Sequence, residues 1–280
     1  MLIRFGYDIG LECHEETVVV AALRTHSSRI GDLRMPDPVR IDPYVLQSPY
    51  RDEFGNRLVR FVLPPGPARL WTDGIIEDPC LPDPVEPDAP MVPVADLPDP
   101  VLTYLRSSRY CDTEELGVAA WHLFGGVPEG WARVQAICDW VHGHIRFGYG
   151  SSSPRKTASD VFREGTGVCR DFAHLAITMC RAVNVPARYA AGYVPDIGVP
   201  PDPAPMDFCA WFEAYLGGHW YAFDARYNVP RTGRVLMARG RDAADAAMLT
   251  TFGANTVSHF SVHACQLEDA AVPMASGRTA

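Results

Sequence analysis

Hydrophobic and polar positions alternate through most of the first 76 residues. The segments LIRFGYDIGLE and EETVVVAAL are rich in β-branched and aromatic residues, and successive side chains of GNRLVRFVLP alternate between two faces. No long run of apolar residues at helical spacing occurs in this part of the sequence. The pattern therefore predicts an N-terminal, β-sandwich-like domain over residues 1–78.

A proline-rich stretch follows at residues 79–100, PCLPDPVEPDAPMVPVADLPDP, which contains eight prolines. Proline lacks a backbone N–H and restricts the residue before it, so regular structure is disfavoured. The stretch predicts an extended, semi-rigid linker, and the boundary between two domains is expected within it.

The second half changes to helical periodicity and then to paired strands. EGWARVQAICDWVHGHI repeats apolar residues at helical spacing, and a second helix is predicted from Cys169 to about Val183. PARYAAGYV is typical of a strand, and FCAWFEAYLGGHWYAFDARY of a hairpin that turns at Gly217 and Gly218. Helices followed by hairpin strands predict an α+β domain over residues 101–280, in which a helix packs on an antiparallel sheet.

Composition excludes several classes of protein. Apolar residues make up 47% of the chain, which is typical of a globular protein, and a net charge of −9 without dense Lys/Arg runs argues against nucleic-acid binding. The N-terminal residues lack the pattern of a signal peptide, and no apolar run approaches the ~20 residues that cross a bilayer. We therefore expect a cytoplasmic protein without a membrane partner; its oligomeric state stays open.

Eight scattered cysteines contain no C-x-x-C pair, so a zinc ribbon or a thioredoxin-type motif is not expected, and neither is a metal or cofactor. Cys169 differs from the others because it follows the glycine-rich stretch GTGV and opens a helix. Unpaired N–H groups and the positive end of the helix dipole stabilise a thiolate there. Cys169 is therefore the candidate nucleophile, and the same N–H groups are candidates to hold an oxyanion.

The base that would assist Cys169 has to come from another element. His174 lies about 140° around the helix and is expected to face away. If Gly217 and Gly218 form a two-residue turn, Cys209 lies opposite residue 226, and Asp224 lies diagonal to Cys209 on the same face. A base and its orienting carboxylate have this relation in catalytic triads.

The other histidines have weaker claims on Cys169. His219 falls on the opposite face of the hairpin, and the rest lie at a helix end or on a solvated strand face. Trp211 and Glu213 share the face of Cys209 by parity. They are therefore candidate substrate-binding residues of the cleft.

Three motifs now carry a family resemblance. GTGVCRDFA, ARYAAGY and DFCAWFEAYLGGHWYAFDAR occur in order, and together they resemble the transglutaminase-like superfamily, whose core fold is similar to papain-like cysteine proteases. Bacterial members often carry an N-terminal β-domain. The resemblance implies a catalytic triad at Cys169, position 209 and Asp224, without a cofactor, and a thiol-dependent amide hydrolase or acyl transferase that acts on a peptide or protein amide.

Position 209 departs from the family pattern, which usually has histidine there. A thiol has a reference pKa of about 8.5 and an imidazole of about 6.5, so Cys209 is a poor general base. We therefore expect weak or specialised activity from an atypical Cys-Cys-Asp triad.

Two other readings stay open. A catalytically inactive descendant would bind a peptide or partner in the cleft. Alternatively, Cys169, Cys209 and Asp224 would hold a metal, or the two cysteines would form a disulfide.

Overall fold

The computed structural model describes residues 1–267. Within this range the strands are β1 (Leu2–Cys13), β2 (Thr17–Ala21), β3 (Leu33–Met35), β4 (Arg40–Asp42), β5 (Ser48–Arg51), β6 (Arg57–Leu63), β7 (Gly66–Glu77), β8 (Arg146–Phe147), β9 (Thr166–Gly167), β10 (Ala187–Tyr193), β11 (Cys209–Leu216), β12 (His219–Phe223), β13 (Val235–Gly240), β14 (Leu249–Phe252) and β15 (Asn255–Gln266). The α-helices are α1 (Asp99–Leu102), α2 (Thr113–Phe124), α3 (Trp131–His144), α4 (Ala158–Glu164) and α5 (Cys169–Ala182).

Two antiparallel sheets contain the N-terminal strands. The first has the order β15-β1-β7-β3, with β4 also paired to β7, and the second has the order β14-β2-β6-β5. Alternate residues of β1 from Ile3 to Leu11 are buried, and they share one core with Val19 and Phe61 of the second sheet. The alternation in the sequence therefore marks the inward faces of the strands.

Strands from the end of the described chain complete both of these sheets. β15 pairs antiparallel with β1 from Ile3↔Gln266 to Cys13↔Asn255, and β14 pairs with β2. The sequence had assigned these residues to the second domain, because a strand pattern shows which face is buried but not which partner strand supplies the hydrogen bonds. The division at residues 79–100 stays a prediction, but β14 and β15 pair with the N-terminal strands.

A third antiparallel sheet, in the order β12-β11-β10-β13, carries the predicted hairpin. Leu216 pairs with His219, which confirms the predicted register. Gly217 and Gly218 have positive φ angles of 54° and 88°, a backbone conformation that favours glycine.

Helix α5 packs on this third sheet, as predicted. Phe172 and Ala176 lie in one core cluster with Ala210 and Phe212 of β11. Helices α2, α3 and α4 contact α5 as well. Every residue from 171 to 181 is buried, so the amphipathic helix is enclosed by neighbouring elements all round.

His174 is one of these buried residues. Its ring stacks on Tyr110 with 5.0 Å between ring centroids, and Nε2 accepts the N–H of Ala243 at 3.1 Å. Burial lowers the pKa of His174 well below its usual range, so the ring is a neutral core residue.

The proline-rich stretch is docked along the third sheet. The carbonyl of Pro90 accepts the N–H of Gly217 at 2.8 Å, and that of Ala89 accepts the N–H of Trp131 at 3.0 Å. Asp83 forms an ion pair with Arg234 at 2.8 Å. The linker thereby reaches the sheet that carries Cys209 and Asp224.

Candidate active site

The glycine-rich stretch before Cys169 has a specific backbone function. Gly165 ends α4 in the left-handed conformation with φ 61°. A Cβ on Gly167 would lie 2.6 Å from the Cβ of Asp171, so glycine is required for this close approach. The carboxylate of Asp171 accepts the N–H of Val168 at 2.9 Å and thereby caps the start of α5. These contacts place Cys169 at the first position of the helix.

The structure brings Cys169 and Cys209 together at the start of β11. The Sγ atom of Cys169 lies 3.9 Å from the carbonyl oxygen of Phe208. The thiol of Cys209 donates to Cys169 and is the largest cause of its lowered pKa; the N–H of Ala210 and the guanidinium of Arg226 also lower it, against the effect of burial. The thiolate of Cys169 is thus stabilised chiefly by its contacts with β11 and Arg226.

Cys209 holds its proton in this arrangement. Its hydrogen bond to Cys169 and its burial raise the pKa of Cys209 well above the usual range. A thiol of raised pKa is suited to donate a hydrogen bond and is a poor general base.

Asp224 binds groups other than Cys209. One carboxylate oxygen accepts the N–H groups of Arg226 and Tyr227, both at 3.1 Å. The other oxygen accepts a bond from Arg234 at 3.1 Å. Within the described part of the chain no hydrogen bond joins Asp224 to Cys209. Asp224 therefore fixes the turn that follows β12, and this turn carries Arg226.

Arg226 is the residue that the sequence reasoning missed. Its Nη1 atom lies 3.9 Å from Sγ of Cys209, and its guanidinium stacks 3.9 Å from the ring centroid of Phe147. An ion pair with Asp202 has a length of 3.9 Å. The hairpin register placed position 226 opposite Cys209, so a signal was present, but a charge so close to two thiols depends on the turn after β12.

Two cavities open on either side of Arg226. One, of about 340 Å³, is lined by Cys169 together with Ser152 and Arg170. The other, of about 370 Å³, is lined by Cys209. Both are also lined by Tyr149, Asp207 and Arg226. Each thiol is thus reached from its own cavity.

Asp207 is a second group that the sequence reasoning did not place in the site. Burial raises the pKa of its carboxyl, against the opposing hydrogen bond from the N–H of Phe208. A carboxyl with a raised pKa at the mouth of a cleft is able to donate and accept protons.

A family model of the transglutaminase-like superfamily matches residues 122–225. The crystal structure of the putative cysteine protease from Cytophaga hutchinsonii superposes with a TM-score of 0.84 at 31% sequence identity, and the match covers 96% of this chain and 91% of that one. The chain belongs to the transglutaminase-like superfamily. An uncharacterised protein of Mycobacterium leprae is 29% identical over 119 residues, which are 41% of this chain and only 42% of that relative.

Membership of the superfamily confirms the predicted α+β fold class with a transglutaminase-like core. The triad of Cys169, Cys209 and Asp224 stays a prediction for this member of the superfamily. No helix in residues 1–267 is both long and apolar enough to cross a membrane. The cytoplasmic location also stays a prediction.

Trp211 and Glu213 lie away from both cavities of this transglutaminase-like site. Trp211 is buried beneath the guanidinium of Arg234, at 4.9 Å from its ring centroid. Burial alone would raise the pKa of Glu213, but Arg239 and Arg188 outweigh it, and the pKa is lowered. Their predicted contact with substrate stays a prediction, while the structure shows both side chains in buried contacts with arginines.

The histidine usual in the superfamily has no replacement at the Cys169 cavity, since none of the residues lining it, all in the described range, is a histidine. The Nδ1 atom of His142 lies 2.9 Å from the carbonyl oxygen of Arg226, so His142 contacts the turn that follows β12. His259 and His263 are exposed on β15. Among residues 1–267 no three His, Cys, Asp or Glu side chains are grouped to hold a metal.

Proposed function

We propose that this protein is a thiol-dependent amide hydrolase or acyl transferase whose nucleophile is Cys169. The observation that carries the proposal is a Cys169 thiol of lowered pKa at the mouth of an open cavity. Membership of the superfamily and the 31% identity to the Cytophaga hutchinsonii protein support the reaction class. A peptide or protein amide is the substrate class we propose.

In the first step the Cys169 thiolate attacks the carbonyl carbon of the amide, and a carbon–sulfur bond forms. The first N–H groups of α5 would bind the oxyanion. Collapse of this intermediate breaks the carbon–nitrogen bond, and the amine leaves with a proton from Asp207. Asp207 fits this role because it lines the Cys169 cavity and has a raised pKa.

The second step regenerates the thiolate. Water or an amine attacks the carbonyl carbon of the thioester, and the carboxylate of Asp207 accepts the proton. The carbon–sulfur bond then breaks, which releases the acyl product and the Cys169 thiolate. Hydrolysis results when water attacks and acyl transfer when an amine attacks. Cys209 donates its hydrogen bond again once the Cys169 thiolate is restored, and Arg226 contributes the positive charge.

The test is acylation of the protein by an activated ester, followed by intact mass and peptide mapping. We expect an acyl group on Cys169 and its loss in Cys169→Ala. Cys80→Ser is the matched control because Cys80 is an exposed thiol that lines neither cavity. Equal acylation of Cys169→Ala and the unaltered protein would contradict the proposal.

A binding function without turnover is the second candidate. The observation that favours it is the thiol at position 209, where the superfamily usually has histidine. In that case Cys169 would be acylated by an activated ester, but no amide would be cleaved and the acyl group would not be released. Release of the acyl group to water or to an added amine distinguishes the two candidates.

A further inference from the structure

The two thiols at the start of β11 form a pair that the acyl-transfer proposal uses only in part. The Sγ atom of Cys169 lies 3.9 Å from the carbonyl oxygen of Phe208, the residue directly before Cys209. The N–H of Ala210, directly after Cys209, lowers the pKa of Cys169. The thiol of Cys209 donates to the same sulfur atom. Both cysteines are free thiols. The geometry therefore places both thiols beside the peptide group that joins Phe208 to Cys209.

The two thiols are also chemically unequal. Contacts with β11 and Arg226 lower the pKa of Cys169, whereas the hydrogen bond to Cys169 and burial raise the pKa of Cys209. Thiolates attack peroxides and disulfides, while a neighbouring protonated thiol keeps its proton until a second step. Pairs of this kind consist of an attacking and a resolving cysteine.

Access and charge suit a small oxidant. The Cys169 cavity of about 340 Å³ is open to solvent and admits a molecule of the size of a hydroperoxide. Arg226 lines this cavity and lies 3.9 Å from Sγ of Cys209. A guanidinium so placed offers hydrogen bonds to the peroxide oxygens and stabilises the alkoxide or hydroxide that leaves.

We propose that Cys169 and Cys209 are a two-cysteine redox site that reduces hydroperoxides and closes to a reversible disulfide. The Cys169 thiolate attacks one peroxide oxygen, so a sulfur–oxygen bond forms and the oxygen–oxygen bond breaks. The leaving alkoxide takes a proton from water, and Cys169 becomes a sulfenic acid.

The second step closes the pair. The sulfur of Cys209 loses its proton and attacks the sulfur of Cys169, so a sulfur–sulfur bond forms and the sulfur–oxygen bond breaks. Hydroxide leaves and takes up a proton to become water. The two electrons that reduce the peroxide come from the two thiols, and an external dithiol reduces the disulfide again.

This activity has a consequence for acyl transfer. A disulfide removes the nucleophile and prevents its further oxidation to an irreversible sulfinic acid. Cys209 at the usual histidine position would then protect Cys169 from irreversible oxidation, while the site would lack the general base that a histidine provides. The redox proposal does not rest on acyl transfer, since peroxide reduction needs only the two thiols.

The experiment treats the reduced protein with hydrogen peroxide and maps the products by peptide mass spectrometry. We expect a disulfide between Cys169 and Cys209 and a loss of two free thiols, both reversed by dithiothreitol. In Cys209→Ser the sulfenic acid of Cys169 should persist and react with dimedone. In Cys80→Ser, the exposed-thiol control, the disulfide should form as in the unaltered protein.

Rates add a second readout. Less thiolate is present below a pKa that has been raised, so Cys169 should be oxidised more slowly in Arg226→Gln, which lacks a cation that lowers the pKa of Cys169. Oxidation of Cys169 to sulfinic acid without a disulfide to Cys209 would overturn the proposal, as would equal rates in Arg226→Gln and the unaltered protein. Mapping of the unaltered protein gives this answer even if Cys209→Ser does not fold.

Discussion

Replacement of Arg226 by glutamine tests what sets the reactivity of Cys169. The guanidinium lies 3.9 Å from Sγ of Cys209 and contributes to the lowered pKa of Cys169. Glutamine removes the positive charge and keeps a polar side chain. The thiolate of Cys169 then loses a stabilising cation, so the pKa of Cys169 should rise.

The size of the change follows from the surroundings of Arg226. A nearby opposite charge lowers an acid's pKa by roughly 1–3 units, and Arg226 lowers the pKa of Cys169 less than the hydrogen bonds from Cys209 and Ala210 do. The ion pair with Asp202 at 3.9 Å already offsets part of the charge, so we expect the lower end of this range. One unit corresponds to about tenfold less thiolate at a pH below the pKa.

The assay follows alkylation of Cys169 by iodoacetamide as a function of pH, with the modified residue identified by peptide mapping. In Arg226→Gln the midpoint of the profile should move up by about one unit, and the rate near neutral pH should fall about tenfold. The rate at high pH should stay unchanged, because Cys169 is fully ionised there in both proteins.

Two controls separate charge from other effects. Arg226→Lys keeps the charge and should retain most of the lowered pKa, although it loses the planar stacking on Phe147. Arg60→Gln removes the same charge from an exposed position on β6 and should leave the profile unchanged. Identical profiles for the unaltered protein and Arg226→Gln would refute the reasoning.

Three further changes test the rest of the site. Asp207→Asn should slow cleavage of an amide by about 10²-fold and cleavage of an activated ester far less, because only the leaving amine needs a proton. Equal losses for both substrates would show that Asp207 is not the general acid. Cys209→His should raise the rate of amide cleavage by about 10²-fold, the low end for a general base, because Arg234 already binds Asp224. An unchanged rate in a folded variant would show that a histidine at this position does not act as a general base. Arg234→Met leaves the buried Asp224 unpaired and should lower the free energy of unfolding in urea by about 3–5 kcal/mol, whereas a loss below about 1 kcal/mol would show that the ion pair contributes little.

Short-range patterns determined much of what the sequence predicted. Glycines before Cys169 and the cap from Asp171 lie within six residues of one another, so the start of α5 is encoded locally. Gly217 and Gly218 set the hairpin turn, and the pairing of β11 with β12 follows from it residue by residue. The alternation in β1 likewise marked its buried face. These features depend on backbone conformation and side-chain period, which neighbouring residues control.

Contacts between distant segments could be decided only by the tertiary structure. The edge of β1 is covered by β15 from the other end of the described chain, and no local pattern names that partner. His174 lies on the side of α5 that an amphipathic pattern would expose, but other elements cover it. Asp224 is bound by Arg234, which is held in turn by Asp83 of the linker.

The candidate site shows the same division. The sequence marked Cys169 as the nucleophile and Cys209 as the departure from the superfamily pattern, because each lies in a recognisable motif. It did not show that Arg226 lies 3.9 Å from Cys209 and helps to lower the pKa of Cys169, because the turn after β12 directs that side chain. Residue identity fixes which chemistry is available, whereas the pKa of each group depends on the charges, donors and burial that the folded chain brings to it.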